Sequence, residues 1–131
     1  MTLAQTYSWI FYAIGLASQK IPASLADIET IADGINHAIP TQKEIQKSIS
    51  WCVSQGLVLK EGKKYKLTIE GNALLNGSSS NTTLGVWKYL ENHFSKIGVD
   101  NTRQINPKTM NTEQIAAPDR ANAPGERKRY T

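Results

Sequence analysis

The stretch from Thr41 to Leu75, TQKEIQKSISWCVSQGLVLKEGKKYKLTIEGNALL, admits few folds. Thr41 with Glu44 three residues on is a capping box: the hydroxyl accepts from one backbone amide and the carboxylate from another. Ile45, Ile49, Cys52 and Val53 follow at i, i+4, i+7 and i+8, one face of a helix. Gln55-Gly56 ends it, because glycine takes a left-handed C′ conformation without steric cost. Leu57, Val58 and Leu59 read as a short apolar strand, and Glu61-Gly62 turns the chain. Tyr65, Leu67 and Ile69 alternate with Lys64, Lys66 and Thr68, the period of a strand with one buried face. Thr68 is placed to cap a further helix beginning at Ile69. The expected order is helix, two-stranded hairpin, helix.

On either side the pattern is helical. Ala4 to Ser18 forms a first helix with Tyr7, Ile10, Phe11 and Ile14 on one side and Trp9, Tyr12 and Leu16 elsewhere. Apolar residues on more than one face require burial from two directions, one of which a second subunit can supply. Ser24 with Asp27 is another capping box, opening a helix whose stripe is Leu25, Ile28, Ile31, Ala32 and Ile35. Gly34 to His37 ends it, and Ala38-Ile39-Pro40 turns into Thr41, a spacing that suits a helix-turn-helix. Beyond Asn76, residues 77–83 form a polar linker. Residues 84–97 form a last helix striped by Leu84, Trp87, Leu90, Phe94 and Ile97. Two covers for that stripe stand equal: the first helix, or the same helix of a partner subunit. Residues 98–131 have too few large apolar groups to repay their ordering entropy, and are expected to be a disordered tail ending in Arg127-Lys128-Arg129.

This order of elements, closing on YKLTIEGNALL, resembles the winged-helix DNA-binding regulators of the MarR and PadR kind, over about three quarters of the chain. The run Asp33 to Thr41, DGINHAIPT, is similar to a stretch of small uncharacterised bacterial winged-helix proteins, which brings no activity with it. The resemblance implies a mainly α fold with a small two-stranded β-hairpin: a winged helix-turn-helix over residues 1–76, with residues 84–97 as an accessory or dimerisation helix. In that family the helix before the hairpin lies in the DNA major groove and the hairpin touches the backbone. Winged helices also serve as protein-binding modules, so fold alone does not choose between the two.

Charge favours an acidic partner. The formal net charge is +4, unevenly spread. Residues 40–71 hold six Lys and three Glu, whereas residues 1–39 hold one Lys and three acids. Residues 101–131 carry six basic groups and three acids, so the positive charge gathers on the helix, the hairpin and the tail, where a nucleic-acid reader needs it. Opposite the apolar face of the Thr41 helix lie Lys43, Lys47, Ser50 and Ser54, with Gln42 and Gln46 at its start and edge. Glutamine pairs with adenine and lysine reaches guanine or phosphate. Thr41, Gln42, Lys43, Gln46, Lys47 and Ser50 are thus the candidate groove residues, and Lys60, Lys63, Lys64 and Lys66 the candidate phosphate contacts. Two features favour a protein partner instead. Every arginine (Arg103, Arg120, Arg127, Arg129) lies in the expected tail, and Trp51 falls toward the polar side of its helix. An adaptor reading would use Trp51 together with Leu84, Trp87, Leu90 and Phe94.

Catalysis finds little support. No nucleophile elbow, phosphate loop, zinc-ligand spacing or dinucleotide glycine pattern occurs. His37 and His93 are far apart in sequence, without carboxylates or thiols at ligand spacing, so neither metal nor cofactor is expected and His37 reads as a turn cap. The single cysteine, Cys52, excludes an internal disulfide and reads as a core thiol. Tyr7 to Ala17 is apolar, but it has no basic residue ahead of it and is too short to span a bilayer, so a cytoplasmic protein is expected. The function expected is DNA binding in transcriptional control, on double-stranded DNA and as a dimer through residues 84–97. A non-enzymatic protein adaptor is the alternative.

Overall fold

A computed structural model describes residues 1–99; the expected tail falls outside them, apart from Gly98 and Val99. The order is α1 (Leu3–Ala17), α2 (Leu25–Asn36), α3 (Gln42–Ser54), β1 (Val58–Glu61), β2 (Lys64–Leu67), α4 (Ile69–Asn76) and α5 (Thr83–Lys96). The fold class is mainly α with one antiparallel two-stranded hairpin, as the sequence predicts. Each helix begins on Ser or Thr. Ser24 with Asp27 and Thr41 with Glu44 form the expected capping boxes, and Thr2 with Gln5 forms a third. Thr68 and Thr82 cap α4 and α5 by their hydroxyls, which accept from the amides of Gly71 and Gly85. Each such cap satisfies a backbone amide that the helix itself leaves without a partner. His37 ends α2 in the left-handed region at φ 56, its amide donating to the Asp33 carbonyl.

α1 is the axis of the molecule, and nearly its whole length is buried against α2, α3 and α5. Two indole N–H groups fasten it. Trp9 of α1 donates to the Ala32 carbonyl of α2 at 2.8 Å. Trp87 of α5 donates to the Gln5 carbonyl and to Ser8 Oγ of α1, both at 3.1 Å. A buried indole needs such an acceptor, because an unpaired N–H would forfeit its hydration. Leu90 and Phe94 are fully buried, and Phe94 meets Phe11 edge-on with ring centroids 5.6 Å apart. The cover for the last helix is therefore α1 of the same chain. Residues 1–97 form one compact unit, with α5 an integral part of its core.

The hairpin pairs Val58 with Leu67, Leu59 with Lys66, Lys60 with Tyr65 and Glu61 with Lys64. Val58, Lys60, Tyr65 and Leu67 thus share its inner face, and Leu59, Glu61, Lys64 and Lys66 its outer one. A feature without a periodic signal ties the hairpin down: Ala23, just before α2, exchanges two backbone hydrogen bonds of 2.8 Å with Tyr65. After β2 the chain turns at once into α4, so Ile69 leaves the expected strand alternation and is 86% exposed as the first helical residue. Gly71 then passes so close to the Leu57 carbonyl oxygen that any Cβ would collide with it. That approach lets Thr68 donate its amide to Leu57 O at 3.0 Å and its hydroxyl to Gly56 O at 2.6 Å.

Candidate functional site

α3 and the hairpin make one continuous surface. Ile45, Ser48, Ile49 and Cys52 bury one side of α3, so at 3.6 residues per turn the open side carries Gln42, Lys43, Gln46, Lys47, Ser50, Val53 and Ser54. Lys43, Gln46, Lys47 and Ser50, predicted as groove residues, are all exposed on that side. Thr41 and Gln42 are exposed as well, but each is engaged in a hydrogen bond within the chain. The Thr41 hydroxyl accepts from the Glu44 amide at 3.0 Å, and Gln42 Nε2 donates to the Glu29 carboxylate at 3.4 Å. Lys63 and Lys64 stand exposed at the hairpin tip, and Lys60 is exposed on its inner face. Lys66 lies 3.2 Å from Glu61 across the outer face, an ion pair that leaves it partly neutralised. Both side chains remain over two-fifths exposed, so the pair adds little stability.

Between α3 and the hairpin runs an open groove of about 590 Å³. Gln46, Ser50, Val53 and Ser54 form its α3 wall, Lys60 and Tyr65 its hairpin wall, and Leu25 and Ile49 its apolar lining. Sequence reasoning assigned Val53 to the core; it is 40% exposed and faces this groove. The displacement has a physical cause. Ser48, a polar residue that a hydrophobic count leaves out, extends the buried arc of α3 on the side of Trp51, so the true arc is rotated away from Val53 and toward Trp51.

Trp51 is accordingly corrected as well. It is not an exposed surface residue: its ring packs 5.4 Å from Tyr7 and 4.8 Å from Phe94, joining α3 to α1 and α5. The same holds for most of the remaining protein-interaction set. Trp87, Leu90 and Phe94 are turned onto α1, and Leu84 alone of the α5 residues named there is open, at 66%. Cys52 is wholly buried, and burial pushes its thiol well above its ordinary pKa, which leaves it protonated and unreactive. Among the described residues, no three His, Cys, Asp or Glu side chains gather as a metal site. No helix among them is long and apolar enough to cross a membrane. No protein-family model matches the chain, and comparison with curated proteins and with solved structures found no match either.

Proposed function

We propose that this chain is a non-enzymatic, cytoplasmic DNA-binding protein of the winged helix-turn-helix type, acting in transcriptional control. In this reading α3 enters the major groove of double-stranded DNA and the β1–β2 hairpin lies along the flanking backbone. One observation carries it: the exposed side of α3, with Lys43, Gln46, Lys47 and Ser50, runs into a hairpin presenting Lys60, Lys63 and Lys64. Glu44 is turned into the α3 cap and Glu61 into its pair with Lys66, while Glu29 of α2 meets Gln42 at the very start of α3, so the cationic stretch begins at Lys43. Clustered lysines gain affinity from DNA by displacing counterions, and glutamine supplies a bidentate partner for adenine. Residues 1–99 contain no arginine, so backbone contacts supply most of the affinity and the ratio of specific to random binding is modest.

The adaptor reading loses its anchor, since the Trp51 ring is spent on Tyr7 and Phe94. The test is a titration of the full chain with mixed duplex DNA at two salt concentrations. Lys63→Ala with Lys64→Ala is expected to weaken all duplexes alike and to flatten the log–log salt slope by about two units. Gln46→Ala is expected to cost roughly 1–3 kcal/mol on a preferred sequence and little on random DNA. Absence of wild-type binding at low salt, or wild-type affinity in the double lysine variant, would refute the proposal.

A further inference from the structure

Resting on the DNA-binding reading, we propose that Val53 is a base-reading residue that recognises the C5-methyl group of the pyrimidine ring, giving this surface a preference for thymine-bearing steps. Val53 is half-exposed on the open side of α3, in the same row as Gln46 and Ser50, at spacings of four and three residues. Its isopropyl group is continuous with the apolar lining that Leu25 and Ile49 give the groove. A methyl group projecting into the major groove is the one apolar feature that base pairs offer there, and only thymine carries it among the four standard bases. Gln46, in the same row, has the donor and acceptor pair that matches adenine N7 and N6. The two side chains are seven residues apart, about 10 Å along the helix and roughly three base-pair steps. The surface thus combines an adenine reader with a thymine reader and has no arginine for guanine. Lys60 on the hairpin wall and Lys43 and Lys47 beyond the row supply charge of the sign that a duplex requires. This complementarity makes DNA, rather than an apolar peptide, the occupant of the groove.

The methyl group can be removed without touching the protein. The full chain is titrated at low salt with a short alternating A·T duplex and with the same duplex bearing uracil for thymine. The uracil duplex is expected to bind about fourfold more weakly, the factor that corresponds to one buried carbon. A G·C duplex with 5-methylcytosine is expected to bind tighter than unmodified G·C by a similar factor, since it presents the same methyl group. Val53→Ala, its fold checked by circular dichroism, is expected to abolish both ratios. Equal wild-type affinity for the thymine and uracil duplexes overturns the assignment of Val53 while leaving DNA binding in place. Ratios that survive in Val53→Ala overturn it too, because the methyl group would then be sensed elsewhere or through duplex shape. If the wild type binds none of the duplexes, the DNA-binding reading falls and the role of Val53 with it.

Discussion

Three buried positions, one on α4 and two on α3, show how narrowly single atoms are fitted. At Gly71 a methyl group would strike the backbone carbonyl of Leu57, which no rotamer can move. Gly71→Ala is therefore expected to cost about 3 kcal/mol, the upper part of the range for overpacking, measured by urea unfolding. Ser48 presents the opposite case: its hydroxyl is buried and has no hydrogen-bond partner among the described residues. Ser48→Ala removes an unpaid desolvation and is expected to raise stability by ~1 kcal/mol in the same assay. Four residues on, burial raises the Cys52 thiol pKa above its ordinary 9.0. A raised pKa means that the folded state holds the proton longer than the unfolded one. The associated stability is whole below pH 9.0 and lost as pH rises beyond it, by up to ~1.4 kcal/mol per pH unit. Unfolding free energies of the wild type and Cys52→Ala, compared from neutral to alkaline pH, should diverge only above that point.

At the scale of elements, α5 is the clearest lesson. Its stripe announces a helix with a buried face, and the structure gives that face to α1 through the Trp87 hydrogen bonds and the Phe11–Phe94 contact. Leu90→Asp is thus expected to unfold the chain rather than to yield a folded monomer, because an unpaired carboxylate would sit at a fully buried position. Loss of the cooperative thermal transition by circular dichroism would register it. Trp51→Ala opens the junction of α1, α3 and α5 and is expected to cost about 3 kcal/mol. The helices, both capping boxes at Ser24 and Thr41, the hairpin and the Thr68 cap were legible because each is written in local spacing. What covers a stripe is not local. Nothing in the local sequence says that Phe94 meets Phe11 or that Trp87 reaches the backbone of Gln5. The orientation of α3 departs from the periodic reading for a related reason: Ser48, on the Trp51 side of its buried arc, is polar, and leaving it out sets Val53 and Trp51 on the wrong sides. Of the candidate site, the lysines and Gln46 were legible from charge and period, whereas the groove needed the hairpin folded beside α3.

At the scale of residues 1–97 as a whole, α1 carries the architecture, and α3 with the hairpin carries six of the nine lysines. Of the acids of α2, Asp27 is turned into the Ser24 cap and Glu29 meets Gln42 at the start of α3, while Lys43, Lys47 and the hairpin lysines lie further along, so a chain of modest net charge holds a local cationic surface. Because α5 completes the cover of α1, a chain ending at Gly77 is expected to lose cooperative unfolding and to bind hydrophobic dyes, with the ring of Phe11 laid bare on one side. The bridge between Ala23 and Tyr65 has a mechanical consequence. Two backbone hydrogen bonds clamp the hairpin at mid-length to the segment that starts α2, so the tip beyond Tyr65 pivots about a fixed fulcrum instead of swinging from its root. Amide hydrogen exchange should therefore be slow at Ala23 and Tyr65 and fast at Lys63. The exposed lysines at the tip, Lys63 and Lys64, are then the part of the lever free to adjust, while the groove wall at Tyr65 keeps its distance from α3.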